Sequence, residues 1–324
     1  MSFNREDYKN VKISFEERRK KAVLEADEKR KQVAAKLPEM KKICDSLEET
    51  GPKIYAAALE GKDDYELRLQ SIRQETEALL KRQKELLLSN GYPENYLDVI
   101  YRCPLCCDEG NINGKMCGCM RAELVKAGYE SAGIAGLCGK MSFDTFDLSY
   151  YSGEDRANME LVFEKAKEYA ESFSGSGSGS LLFFGGTGLG KTHLSVAVVK
   201  RVIERGYYCV YTTSDKLFSD LREERFRPAD DKSPSKTEKY GECELLVIDD
   251  LGTELNGRDI VPFLYSLLNQ RINSGASTVI NTNLSHKELL AVYDERIVSR
   301  LFGEFLPYRF SGKDVRMQKL KLNQ

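Results

Sequence analysis

The chain has 324 residues, enough for two domains and for a full hydrophobic core in at least one of them. Its net charge of −2 gives no global attraction to nucleic acid, so any such contact has to come from local patches. Met1 to Asp7 hold no apolar h-region, no long apolar run occurs, and the nine cysteines are odd in number and unevenly spread; a secreted disulfide scaffold and a membrane span are not expected, and a cytoplasmic protein is.

Residues 1–100 form the first predicted region. Up to about Asn90 they are highly charged, poor in glycine and helical in period. Tyr65, Ile72, Leu79 and Leu86 recur every seven residues, and Val33, Leu37, Met40, Cys44 and Leu47 make a second apolar stripe. Gly51-Pro52 interrupts the pattern, which predicts two long helices folded as a hairpin or coiled coil. Arg18-Arg19-Lys20-Lys21 and Lys29-Arg30-Lys31 are interspersed with glutamates, the pattern of a solvated helix face rather than of a nucleic-acid patch.

Residues 101–142 are a second region, dense in cysteine and glycine at its start. Cys103-Pro104-Leu105-Cys106 and Cys117-Gly118-Cys119 place two close pairs of thiols on either side of one short loop. Paired thiolates of this kind suit tetrahedral Zn²⁺, and the lack of histidine and of an open position makes the zinc structural. Cys107 is an alternative to Cys106. Cys44, Cys138, Cys209 and Cys243 are scattered and read as packing residues.

The third region, residues 143–324, alternates helices and strands, which predicts an α/β fold with a parallel sheet and a ligand at the strand C-terminal ends. A helix at 155–171 is followed by Ser174-Gly-Ser-Gly-Ser-Gly-Ser180, read as a flexible surface loop. The strand Leu181–Phe184 then leads into Gly185-Gly186-Thr187-Gly188-Leu189-Gly190-Lys191-Thr192-His193, with a helix beyond it carrying Leu194, Ala197, Val198 and Val202 at helical spacing. A glycine-rich turn between a strand and a helix, ending in Gly-Lys-Thr, is a phosphate loop. Its glycines let backbone N–H groups wrap a triphosphate, Lys191 reaches the outer phosphates, and the Thr192 hydroxyl helps hold Mg²⁺.

A strand at 208–211, a helix at 214–224 and a polar stretch through Lys239 come next. The strand Leu245–Ile248 ends in Asp249-Asp250, the first acid placed to serve Mg²⁺ and the second to orient the attacking water. The chain has no Asn-Lys-x-Asp guanine motif, so ATP is the expected nucleotide. After a helix at 260–274, the strand Thr278–Asn281 ends near Asn283, which, with Asn281 as the alternative, can reach the γ-phosphate or the water. A single last helix is expected over 285–301. In it Arg296 and Arg300 share a face, and an arginine supplied across a subunit interface stabilises charge on the transferring phosphoryl.

With the phosphate loop, Leu245-Leu246-Val247-Ile248-Asp249-Asp250-Leu251-Gly252-Thr253-Glu254, Thr282-Asn283-Leu284 and Ser299-Arg300-Leu301 in this order, the chain from about Phe143 onward resembles the AAA+ helicase loaders of the DnaC/DnaI type. Their relatives include the IstB-like transposition helper ATPases. The Tyr101-x-Cys103-Pro104-x-Cys106…Cys117-x-Cys119 segment is similar to the zinc module that precedes the ATPase in DnaI-type loaders; the N-terminal helices are similar in character only. The resemblance implies an AAA+ P-loop sheet without a lid domain, preceded by the helical hairpin and the zinc module. It implies Asp249 as the Mg²⁺ acid, Asp250 in place of the usual catalytic glutamate (with Glu254 as a substitute), Asn283 as sensor 1, Arg300 as arginine finger and Arg316 as a sensor-2-like residue.

An acid one methylene short of glutamate fits slow, switch-like hydrolysis. The implied partners are a replicative helicase through the N-terminal region, a further copy of the chain through Arg300, and single-stranded DNA through Lys216, Phe218, Arg222, Arg225 and Arg227. Basic residues interleaved with aromatics suit a strand-tracking groove, although Phe218 equally fits the core face of an amphipathic helix. A transposition helper acting on target DNA and a DNA-free regulator are the alternative functions.

Overall fold

The computed structural model describes residues 3–59, 65–228, 235–253 and 261–322. They fall into two compact units, one of Lys12–Met120 and one of Met1–Val11 with Arg121–Gln324.

The helices α1 (Arg5–Lys36), α2 (Pro38–Glu48), α3 (Thr50–Leu59) and α4 (Tyr65–Ser89) replace the two long helices expected. The first break comes from Pro38. Leu37 before it is extended (φ −123°, ψ 99°), as steric clash with a following proline ring demands, and Pro38 opens α2 where no helical N–H is needed. The second break is the single residue Glu49, so Gly51-Pro52 lies inside the first turn of α3, where proline is tolerated. A hairpin is nevertheless present. Arg82 reaches Glu39 at 2.7 Å and Lys53 reaches Glu75 at 3.4 Å, so α2 and α3 run antiparallel to α4. Its core is thin: Val33, Met40, Leu87 and Leu97 are buried, with Leu37, Cys44, Leu86, Tyr92 and Tyr96 packed around them. Tyr65, Ile72, Leu79 and Leu86 are each only half-buried. The strands β1 (Asn111–Ile112) and β2 (Lys115–Met116) form a small antiparallel hairpin ahead of α5 (Gly118–Ser131).

The larger unit is built on five parallel strands: β3 (Leu181–Phe184), β4 (Cys209–Thr213), β5 (Leu245–Leu251), β6 (Ser277–Thr282) and β7 (Leu306–Arg309), in the order β4-β5-β6-β3-β7. β3 and β5 up to Ile248 read as unbroken apolar runs, and β6 is buried throughout, because helices cover both faces. On one face Met159, Val162 and Phe173 of α6 (Gly153–Ser172) and its end join Leu194, Val198 and Val202 of α7 (Lys191–Glu204). On the other lie Leu217 and Phe218 of α8 (Ser214–Arg225), Tyr240 of α9 (Glu238–Glu242), Leu264 and Leu268 of α10 (Val261–Asn273), Leu289 of α11 (His286–Val292), and Ile297 and Leu301 of α12 (Glu295–Gly303). The fold is an α/β sandwich of helices on a five-stranded parallel sheet, as the alternation of helices and strands predicts. Because β5, β6 and β3 are neighbours, the residues at their C-terminal ends meet at one edge.

The single helix expected over 285–301 is two, separated at Tyr293-Asp294. Asp294 caps α12 through the Arg296 N–H (2.9 Å), and Ser285 and Glu288 form a capping box on α11. β7 and α13 (Val315–Leu322) were not expected; proline within Leu306-Pro307-Tyr308-Arg309 is allowed because this is an edge strand. The Gly/Ser run is a hydrogen-bonded turn, with Gly177 N–H donating to Gly275 O at 2.8 Å and Ser174 N–H to Ser178 Oγ at 2.9 Å. Ile260 and Glu254 lie outside the described residues. No helix among the described residues is long and apolar enough to cross a membrane.

Candidate nucleotide site and thiol cluster

The phosphate loop leaves β3 at Gly185, whose φ of 137° and close approach to the Phe310 carbonyl exclude any Cβ. Gly190, at φ 88°, caps α7, and a Cβ there would sit 2.8 Å from the Phe146 ring. Lys191 folds back on the loop, its Nζ donating to Gly185 O at 2.8 Å and Gly186 O at 2.7 Å. Burial holds its pKa down at about 8, against the pull of Asp250 and Asp249.

Beside the loop is a cleft of about 370 Å³. Thr187, Gly188, Leu189, Gly190, Lys191, Thr192, His193, Asp250, Asn283 and Arg316 all line it. Arg316 arrives on α13, which is pinned to the loop by Val315 N–H donating to Gly188 O at 3.0 Å. The His193 Nε2 donates to Ser142 O at 2.9 Å and lies 3.1 Å from Thr145 Oγ1; burial lowers its pKa.

Asp249 and Asp250 are neighbours in different surroundings. Asp249 is 3% exposed, and its carboxylate accepts from Asn281 Nδ2 at 2.6 Å, from Asp250 N–H at 3.1 Å and from the Tyr211 hydroxyl. Asp250 sits at a register shift in β5 with φ 56° and faces the cleft, where Asn283 Nδ2 donates to its Oδ1 at 3.3 Å. Burial, then Asp249, raises its pKa. The alternatives Asn281 and Asn283 therefore occupy distinct places: Asn281 is fully buried between Ser195 Oγ (2.7 Å) and Asp249, while Asn283 lines the cleft. Thr192 and Asp249 offer hydroxyl and carboxylate oxygens, the hard donors that Mg²⁺ takes.

Sequence reasoning missed the other wall of the cleft. Phe146, Tyr150 and Tyr151 line it, with Tyr151 donating to Leu189 O at 2.9 Å and Lys319 Nζ 5.3 Å over the Tyr150 ring. The density of aromatics from Phe143 to Tyr151 was the available signal. Arg300 does not line its own chain's cleft. It is half-buried on α12, with Nη1 3.8 Å from Glu304.

On α8 the structure corrects one assignment: Phe218 is 2% exposed and belongs to the core, so it cannot stack on a base. Lys216 and Arg225 are exposed, Arg222 and Arg227 half-buried. Lys216 donates to Asp220 at 2.5 Å, Arg227 to Glu224 at 3.2 Å, and Arg225 lies 5.6 Å over Phe226. Asp220 is fully buried; burial alone would raise its pKa, but Lys216 and the Tyr240 hydroxyl hold it below the usual carboxylate range.

In the smaller unit the sulfurs of Cys103, Cys106, Cys117 and Cys119 lie within 4.8 Å of one another. Zn–S bonds of about 2.3 Å in a tetrahedron put sulfurs about 3.8 Å apart, and the pairs Cys103–Cys117 and Cys106–Cys119 stand at 3.9 and 3.4 Å. Cys107 is exposed and outside the group. The hairpin between the pairs turns at Asn113-Gly114, both with positive φ (50° and 79°), the pairing that a two-residue hairpin loop selects. Asp108 accepts the N–H groups of Arg102 (2.8 Å) and Cys103 (2.9 Å), fixing the first knuckle. The Cys106 backbone, foremost, lowers the Cys103 thiol to about 7, while burial raises Cys106 and Cys119. Four thiols this close, at separations near those of a ZnS₄ tetrahedron, fit Zn²⁺.

Comparison with known proteins places these features in context. Residues 149–302 match the family described as IstB-like ATP binding protein. The Replicative helicase loader DnaC of Escherichia coli (strain K12) is 25% identical over 181 residues, covering 56% of this chain and 71% of that protein. DnaC of Buchnera aphidicola subsp. Acyrthosiphon pisum is 26% identical over 170 residues, covering 52% and 66%. A crystal structure of the DnaC helicase loader is 21% identical with a TM-score of 0.47, covering 54% of this chain and 98% of that one. Residues 149–302 thus match an IstB-like ATP-binding family, and the chain resembles the DnaC/DnaI-type helicase loaders.

Proposed function

We propose that this protein is an ATP-dependent loader that delivers a replicative DNA helicase onto single-stranded DNA. The observation that carries the reading is the cleft itself: the phosphate loop, Asp250, Asn283 and Arg316 line it, with Asp249 buried next to Asp250, in a domain similar to the replicative helicase loader DnaC. Lys191 turns from the loop carbonyls to the outer phosphates, and the aromatic wall of Phe146, Tyr150 and Tyr151 takes the base. Thr192 and Asp249 hold Mg²⁺, which neutralises charge on the phosphates. Asp250 and Asn283 orient the attacking water, and Arg300 reaches the cleft of a neighbouring copy. The shortness of Asp250 makes turnover slow and switch-like. Residues 1–100 form the helicase-gripping region, the thiols of Cys103, Cys106, Cys117 and Cys119 hold a structural zinc, and residues 143–324 form the ATPase. Lys216, Arg222, Arg225 and Arg227 meet the DNA backbone, each exchanging an internal partner for phosphate. The match of residues 149–302 to the IstB-like family favours, as a second reading, a helper ATPase acting on target DNA.

Native mass spectrometry of the full chain with its host's replicative helicase, with and without ATP, tests the first reading. A complex whose stoichiometry changes with ATP, and does not change in Lys191→Ala, is the expected result. Absence of a complex in both states overturns it and moves the target-DNA helper to first place.

A further inference from the structure

Tyr211 belongs to none of the nucleotide motifs, yet its hydroxyl ends on Asp249, the buried acid beside the cleft-lining Asp250. It stands on β4, the strand beside β5, two residues before the position that pairs with Asp249. Its backbone N–H is itself held at the sheet edge by Ala132 O at 2.9 Å, so the residue is anchored at both ends.

The donors on Asp249 can be counted. A carboxylate has two oxygens with two acceptor positions each. Oδ1 takes Asn281 Nδ2 and the Asp250 N–H, which fills it. Oδ2 takes the Tyr211 hydroxyl, which leaves one position. Asn281 cannot turn over to release Oδ1, because its amide oxygen accepts from the Ser195 hydroxyl at 2.7 Å and a carboxylate can face only the amide nitrogen. Four elements, α7, β6, β5 and β4, thus supply one buried chain of hydrogen bonds that ends on Tyr211.

We propose that Tyr211 is a positioning residue which, together with Asn281, fixes the Asp249 carboxylate so that a single acceptor position on Oδ2 is presented to Mg²⁺ and its waters. The inference rests on the reading of Asp249 as the Mg²⁺ acid. Loss of the hydroxyl frees the carboxylate to rotate about its broad terminal torsion and leaves a buried acceptor without its donor. The cost falls on metal-dependent binding, since the phosphate loop holds the nucleotide by separate groups.

The test is Tyr211→Phe in the full chain, with a fluorescent ATP analogue titrated in EDTA and then across a range of MgCl₂, and melting followed as a check on folding. The expected result is an affinity in EDTA unchanged within about twofold and a half-saturating Mg²⁺ concentration raised about tenfold, the scale of a lost hydrogen bond to a charged group. Asp249→Asn should raise that concentration too, and the double variant should go no further than Asp249→Asn alone, because Tyr211 acts through that carboxylate. An unchanged Mg²⁺ requirement in Tyr211→Phe beside a raised one in Asp249→Asn overturns the inference and spares the reading of the site. An unchanged requirement in Asp249→Asn overturns both. Equal weakening with and without Mg²⁺ reduces Tyr211 to a structural role and also overturns it. Should Tyr211→Phe fail to fold, Asn281→Ser removes the other side-chain donor and is read by the same outcomes.

Discussion

Leu246 and Leu79 are the same residue under different physics. Leu246 sits on β5 with no exposed surface, enclosed by strands on two sides and by helices. Leu79 sits on α4, half-buried, in a hairpin whose core holds only a few fully buried side chains. The sheet unit is held by apolar burial on both faces. The unit of Lys12–Met120 has thin apolar stripes, surface ion pairs such as Arg82–Glu39 that contribute little, and a group of four thiols. A region with so little core gains most from a metal, and a region with so much core can hold a strained site. That division is open to direct attack.

The largest effect is expected from metal removal. Structural Zn²⁺ in small modules contributes about 10–16 kcal/mol of apparent binding free energy at neutral pH, and much of it is folding free energy. A strong chelator, or Cys106→Ser, should release zinc and abolish hydrogen-exchange protection at the Gly110 and Cys117 N–H groups, which bond Cys106 Sγ at 3.3 Å and Gly110 O at 2.9 Å. Amides of β5 and β6 should keep their protection, and nucleotide binding should be unaltered. Loss of protection across the sheet would break the comparison by making the units interdependent.

A pair of truncations sharpens it. Leu246→Ala should cost about 3–5 kcal/mol, because the enclosed sheet cannot collapse into the cavity. Leu79→Ala should cost about 1 kcal/mol, since a half-buried side chain gives up less surface and the hairpin can close on the gap. Urea unfolding followed by exchange at amides of each unit separates the two costs. Similar costs at both positions would mean that the hairpin packs as tightly as the sheet.

How much was legible in the sequence follows the same division. In the sheet unit the strands declared themselves as apolar runs, and the phosphate loop lay between a strand and a helix. Leu306–Arg309 did not, because an edge strand is half solvated and carries a proline. Nor did Arg271, an arginine with no exposed surface whose guanidinium donates to the carbonyls of Tyr240 and Cys243 and to the Thr278 hydroxyl; composition places such a residue outside. Tyr211 and the aromatic wall reach the site through the fold, from positions that no spacing rule connects to the loop. In the smaller unit the thiol pairs were legible, but the helix breaks were assigned to Gly51-Pro52 when the stronger steric signal was Pro38.

The smallest effect probes the strain. Among the described residues, four that are not glycine have positive φ: Cys107, Asp108, Asn113 and Asp250. Three lie in the thiol module, where they shape turns. Asp250 alone lies at the cleft, its carbonyl fixed by the Ser214 hydroxyl at 2.9 Å. The left-handed region costs most residues about 1–2 kcal/mol, but Asp and Asn adopt it more readily than others because their short side chains bond locally. This gives a backbone reason for an aspartate at the position where the resemblance implies the longer acid. Asp250→Asn should leave stability nearly unchanged, since it keeps the tolerated backbone and removes a carboxylate whose charge burial and Asp249 both disfavour. Asp250→Glu should lower stability by about 1 kcal/mol, a shift of a few degrees in melting. Hydrolysis should not speed up in Asp250→Glu, because the longer acid would leave the position that Asn283 now holds. Faster turnover at unchanged melting temperature would show that side-chain length, and not the left-handed backbone, limits the site.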